Sequence, residues 1–124
     1  MATDYVLDTN IFISLFNRQL DEAIPEGRLG FSTITEIELL SFPDLTTEDE
    51  QLIQQSLKAL TRIPLDGAVS RQAVVLRRRF RLRVPDAIVA ASALVAGAVL
   101  VTNDRQLLGC EGVRTRGLRM REAG

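Results

Sequence analysis

Hydrophobic positions along the chain fall into short unbroken runs that alternate with longer stretches of helical spacing. Tyr5-Val6-Leu7 is an apolar run ended by Asp8-Thr9-Asn10, and the closely spaced Ile11, Ile13, Leu15 and Phe16 predict a strand followed by a helix that starts at the polar turn. Pro25, Gly27 and Gly30 mark a loop, after which Phe31-Ser32-Thr33 leads into a helix from Thr33 to Phe42 that stops before Pro43. Thr47-Glu48-Asp49-Glu50 has the spacing of a capping box, with Thr47 accepting from the Glu50 amide, ahead of an apolar face formed by Leu52, Ile53, Leu57 and Leu60. Arg62-Ile63-Pro64-Leu65 predicts a short strand, and Asp66 a cap for a helix running to Phe80. Pro85 suits the first position of an apolar helix from Asp86 to Ala96, which Gly97 ends. Val99-Leu100-Val101-Thr102 is a run of the buried parallel-strand kind, closed by Asn103-Asp104. Val113-Arg114-Thr115 is the expected last edge strand, and residues 118–124 are expected to be loose.

Strands alternating with helices imply βαβ units, so the expected class is α/β: a small, mainly parallel β-sheet flanked by helices on both faces. The 124 residues are 46% hydrophobic and 25% charged, and they carry no repeat or linker, so a single domain over residues 1–124 is expected. In such folds reactive groups gather outside the carboxyl ends of the strands.

Composition narrows the chemistry. With no histidine, the Ser-His-Asp and Cys-His arrangements are excluded and carboxylates must carry acid-base or metal chemistry. The single cysteine, Cys110, allows neither an internal disulfide nor a thiolate cluster, which makes the cytoplasm the expected location. Asp4 stands where a signal peptide carries basic residues, so Met1 is expected to be the mature start. The most apolar stretch, Ala87 to Val101, falls short of the roughly 20 residues that span a bilayer, and no membrane segment is expected. The net charge is -1, and fourteen of the fifteen basic residues are arginine, so affinity for a polyanion must come from local clustering.

Three aspartates fall on the expected active edge: Asp8 after the first strand, Asp104 after the most buried one, and Asp86 at the start of the apolar helix. Each is equally at home as a helix cap, since Asp accepts from exposed amides and suits the positive end of the helix dipole. Convergence of all three is a stronger demand, because two carboxylates about 4 Å apart repel by ~4 kcal/mol at an effective dielectric near 20. A divalent cation offsets that repulsion, and hard oxygen donors favour Mg2+ or Mn2+. The helix from Thr33 offers Glu36 and Glu38 as a fourth acid. Glu38 shares a face with Ile34 and Phe42 and is expected to be drawn inward, leaving Glu36 at the rim.

The chain resembles the PIN-domain family, in particular the short VapC-type ribonuclease toxins of prokaryotic toxin-antitoxin modules. The residues that carry the resemblance are Val6-Leu7-Asp8-Thr9-Asn10, Ser32 through Leu40, Val84-Pro85-Asp86-Ala87-Ile88-Val89-Ala90-Ala91, and Leu100-Val101-Thr102-Asn103-Asp104, in that order. It implies a catalytic and metal-binding quartet of Asp8, Glu38, Asp86 and Asp104, supported by Asn10, Thr102 and Asn103. It also implies Mg2+- or Mn2+-assisted hydrolysis of RNA phosphodiesters to a 5′-phosphate and a 3′-hydroxyl, in a chain partnered by a cognate antitoxin and forming a homodimer. The competing route, attack by the RNA 2′-hydroxyl, usually relies on histidine, which this chain lacks.

Arg71, Arg77, Arg78, Arg79, Arg81 and Arg83 form one dense basic run just before Asp86. Such a run is either a solvated helix face or a phosphate-steering patch, and Arg77, Arg78, Arg79, Arg81 and Arg83 are the candidate RNA contacts. A phosphatase of the haloacid-dehalogenase kind or a receiver domain fits poorly, because Lys58, the sole lysine, lies inside a helix. A non-catalytic PIN-fold module that binds RNA or protein remains the alternative from another class.

Overall fold

The structure is a computed structural model that describes residues 2–122. The elements run β1 (Tyr5–Leu7), α1 (Thr9–Phe16), β2 (Leu29–Ser32), α2 (Thr33–Leu40), α3 (Thr47–Lys58), β3 (Thr61–Ile63), α4 (Gly67–Phe80), α5 (Val84–Ala96), β4 (Val99–Val101), α6 (Arg105–Leu108) and β5 (Thr115–Arg116). All pairings between these strands are parallel, in the order β3-β2-β1-β4-β5.

Successive strand side chains point to opposite faces, and both faces are covered. Val6 pairs with Leu100, and both enter an apolar cluster with α4 and α5; Leu7 pairs with Val101, and both enter a second cluster with α1 and α3. This is why the two central strands are apolar at every position rather than alternating. Among the described residues no helix is long and apolar enough to cross a membrane.

Boundaries shift where local chemistry decides them. The capping box forms one residue earlier than expected: the Asp49 N–H donates to Thr46 Oγ1 at 3.0 Å and the Thr46 N–H to Asp49 Oδ2 at 3.4 Å. The Thr-x-x-acid spacing occurs twice in Thr46-Thr47-Glu48-Asp49-Glu50, and the extended backbone of Thr46, with φ -74° and ψ 162°, selects the first. On α3, Leu52 faces solvent while Ile53 and Leu57 are buried. α2 ends at Leu40 rather than Phe42, β3 ends before Pro64, and the last strand is Thr115–Arg116, with Val113 buried in the turn before it. Pro85 occupies the second position of α5, and Gly97 ends that helix with φ +66°, a left-handed conformation that suits glycine.

The expected loose end does not begin at residue 118. Leu118 is buried, Met120 bridges Leu20, and the Arg121 N–H donates to the Gln19 carbonyl at 2.7 Å while the Asp21 N–H donates to the Arg119 carbonyl at 2.8 Å. An apolar side chain with a seat in the core and backbone partners on the α1–β2 loop holds this segment; residues 123 and 124 lie outside the described residues.

Candidate active site

The chain leaves β1 towards β2 and β3, then returns on the other side of β1 with β4 and β5. The reversal between β1 and β4 is a topological switch point, and the crevice at the carboxyl ends of those strands is where such sheets place their ligands. Asp8 directly follows β1, and Thr102-Asn103-Asp104 directly follow β4.

Asp8 is 5% exposed and held from three sides: Oδ1 accepts from the Thr9 N–H, and Oδ2 from Asn10 Nδ2 and the Thr102 hydroxyl, each at 2.8 Å. Burial pushes its pKa up to about 6, against the pull of the Thr102 and Thr9 hydrogen bonds, and the negative fields of Asp86 and Glu38 push the same way as burial. Thr102 is buried and fully used, since its oxygen also accepts the Asp104 N–H at 3.0 Å. Asn10 Oδ1 accepts the Asn103 N–H at 3.1 Å, and Asn103 Oδ1 accepts the Leu118 N–H at 2.8 Å. Asn103 Nδ2 is buried with no partner among the described residues. Gly117 lies so close that a Cβ there would stand 3.1 Å from Asn103 Oδ1, so the C-terminal segment packs directly on the site's supporting loop.

Asp104 caps α6, accepting from the Gln106 N–H at 2.8 Å and the Leu107 N–H at 3.4 Å. Asp86 is half-buried in the first turn of α5, and burial, then Asp104 and Glu38, raise its pKa while Arg83 opposes them. Capping thus accounts for Asp8 and Asp104 without conflicting with a place in the cluster. It does not account for Asp86, because the cap of α5 is Arg83, whose side chain makes no capping bond.

Glu38 is not drawn inward. It is exposed at the mouth of the crevice, because Ile34 is only half-buried and Phe42 lies beyond the end of α2 and is itself exposed. The Thr9 hydroxyl nevertheless reaches Glu38 Oε1 at 2.8 Å. Glu36 is the more buried of the two and pairs with Arg62 Nε on β3 at 3.3 Å, away from the cluster. Thr9 and the fully buried Thr35, whose hydroxyls are 3.1 Å apart, are polar groups at the site that sequence reasoning passed over. The available signal was the spacing: Thr35 precedes Glu38 by three residues on one helix, so the two share a face.

The arginine run divides. Arg83 is exposed and its charge pulls the Asp86 pKa down, whereas Arg79 pairs with Glu111 at 3.1 Å and stacks over the Phe80 ring at 4.9 Å. Arg77, Arg78 and Arg81 are exposed.

The donor set is all hard oxygen, with two acids whose pKa values are raised in part by neighbouring carboxylates, and it suits a hard divalent ion whose charge relieves that field. Among the described residues, no group of three or more acidic or cysteine side chains is arranged to hold an ion together.

A family model for the PIN domain matches residues 5–109. The fold is similar to a toxin-antitoxin complex from Klebsiella pneumoniae, at 30% identity and TM-score 0.75 over 89% of this chain and 95% of that one. It is also similar to VapBC-5 from Mycobacterium tuberculosis, a member of the VapBC family of toxin-antitoxin systems, at 25% identity and TM-score 0.68 over 96% and 99% of the two chains. VapBC2 from Rickettsia felis, bound to a promoter DNA fragment, shares the fold at 18% identity and TM-score 0.78 over 94% of this chain and 100% of that chain. Comparison with curated proteins gives no match.

Proposed function

Because this chain belongs to the PIN domain family, we propose that it is an endoribonuclease of the VapC type, the toxin half of a toxin-antitoxin pair, acting with Mg2+ or Mn2+ held among Asp8, Glu38, Asp86 and Asp104. The observation that carries this reading is the buried Asp8 at the β1/β4 switch point, with its pKa raised to about 6 by burial and, in the same direction, by the negative fields of Asp86 and Glu38. Bound there, the ion supplies Lewis acidity at a phosphodiester and a lowered pKa for water.

The chain's own residues do the rest. Thr9, Asn10 and Thr102 hold the Asp8 carboxylate in one orientation, and Asp104 is fixed by the amides of α6. The charge of Arg83 acts on Asp86, so this exposed arginine is the first to attract a phosphate entering the crevice, and the exposed Arg77, Arg78 and Arg81 extend that attraction outward. Hydrolysis adds water across the P–O3′ bond, leaving a 5′-phosphate on one product and a 3′-hydroxyl on the other.

The partners are an RNA substrate, a cognate antitoxin and a second copy of the chain, in the cytoplasm. Val74 and Val75 on α4 and Val84 and Val95 on α5 are exposed apolar residues available to a protein partner.

One observation favours the non-catalytic alternative: the acids are not gathered tightly enough to hold an ion as they stand. The test is cleavage of total RNA by the purified protein with Mg2+ or Mn2+, beside Asp8→Asn, Asp86→Asn and an EDTA control. Activity lost in all three controls supports the ribonuclease, and intact tRNA, rRNA and mRNA with either metal moves the protein to the scaffold reading.

A further inference from the structure

The four acids are not held alike. Asp8 has three hydrogen-bond donors and Asp104 two amides, and both side chains are short. Glu38 is exposed and carries a long side chain, which loses rotamer freedom when it is held in one place. Among the described residues its carboxylate has one donor, the Thr9 hydroxyl at 2.8 Å.

That hydroxyl is itself held. A carboxylate only accepts, so the single Thr9 proton goes to Glu38, and the Thr35 hydroxyl 3.1 Å away must then donate to the Thr9 oxygen. Thr35 is fully buried, which leaves its proton no water to turn to. Thr9 also donates its N–H to Asp8 Oδ1 at 2.8 Å, so one residue spaces the two acids contributed by β1 and α2.

We propose that Thr9, backed by Thr35, is the positioning residue for Glu38: the Thr35–Thr9 hydroxyl pair turns an exposed glutamate into a placed metal ligand. The inference rests on the ribonuclease reading and concerns how its fourth acid is oriented. Loss of a group that orients a ligand typically lowers metal affinity 10–100-fold.

The test is Mn2+ binding to the full chain, read from the electron paramagnetic resonance signal of free Mn2+, together with RNA cleavage across a Mn2+ titration. Thr9→Val, close in shape but without the hydroxyl, is expected to weaken Mn2+ binding by about tenfold or more. Its cleavage rate should recover to near the wild-type value as Mn2+ is raised, because the acids themselves are intact. Thr9→Ser restores the donor and is expected to bind Mn2+ close to the wild type, whereas Thr35→Val weakens it by a smaller factor. A Thr9→Val protein that binds Mn2+ like the wild type, or a Thr9→Ser protein as weak as Thr9→Val, overturns the proposal. Should Thr9→Val not fold, Thr35→Val decides alone, and unchanged Mn2+ affinity in it overturns the relay. Wild-type protein that neither binds Mn2+ nor cuts RNA overturns the ribonuclease reading itself, a result distinct from a defect confined to the variants.

Discussion

The Thr102 hydroxyl donates to Asp8 Oδ2 across 2.8 Å, joining the ends of β4 and β1 in a place where both side chains are buried. The same oxygen accepts the Asp104 N–H at 3.0 Å, so one hydroxyl ties two of the candidate acids to each other. Thr102→Val keeps the shape and removes both bonds, together with the one the hydroxyl accepts from Asn10 Nδ2 at 3.2 Å. It is expected to cost about 1–3 kcal/mol of stability, from the polar groups left unsatisfied, read as a lower urea midpoint. Cleavage should fall by about 10–100-fold, the usual effect of removing a group that orients a metal ligand.

Asp8 makes stability depend on pH in a particular direction. Its folded pKa of about 6 lies above the ordinary value of 3.8, so between those values the folded protein binds more protons than the unfolded chain. The contribution of this group is therefore fully present below about pH 3.8 and is lost as pH rises through about 6. Asp8→Asn removes the dependence. Above pH 7 it is expected to be more stable than the wild type by about 1–2 kcal/mol, less than the full shift because one acceptor oxygen is removed, and to be inactive on RNA. Paired melts at pH 5 and pH 7.5 in EDTA give the comparison; a destabilised Asp8→Asn protein at pH 7.5 contradicts it.

Divalent ions should act against the same charge. Addition of Mn2+ or Mg2+ at pH 7.5 is expected to raise the melting temperature, by the linkage that stabilises whatever state binds the ligand, and EDTA should reverse it. The rise should shrink at pH 5, where Asp8 is mostly protonated. Asp86→Asn should reduce the shift without altering the fold, because its carboxylate caps no helix.

The arginines should separate by position. Arg83→Ala is expected to raise KM for RNA and to flatten the salt dependence of binding, by roughly 0.7 in the log-log slope for each phosphate that the arginine neutralises. Arg79→Ala should leave both nearly unchanged, since that side chain is committed to Glu111 and Phe80. Equal effects from the two substitutions would show that the whole run meets RNA.

The C-terminal segment should be part of the folded unit. Leu118→Ala is expected to cost about 2–5 kcal/mol, the range for emptying a buried leucine site, and to weaken cleavage as well, because the Leu118 N–H anchors Asn103 beside Asp104. Equilibrium urea unfolding and single-turnover cleavage of the same preparation measure both; an unchanged midpoint would mean that the segment contributes no packing.

Much of this was legible in the chain because it depends on neighbours in sequence. Periodicity located the apolar helices, Gly97 ended α5, and Asp66 capped α4 with a bond to the Val69 N–H, as expected. Asp8, Asp86 and Asp104 could be placed at one edge because a parallel sheet puts the ends of its strands and the starts of its helices on the same side. Which of two overlapping Thr-x-x-acid patterns capped α3 was not legible, since only the backbone angles at Thr46 distinguish them.

What the sequence by itself determined is the supply of chemistry: hard carboxylates without histidine, strung along an alternating α/β pattern that leaves few ways to arrange them. What only the tertiary structure decided is which groups touch across long separations. Glu38 stays exposed yet meets Thr9, Glu36 turns away to Arg62, Arg79 leaves the basic run for Glu111, and Leu118 brings the chain end back to Asn103. The reason is physical: periodicity reports the direction of a side chain relative to its own element, whereas its partner and its exposure depend on which other element packs against that face.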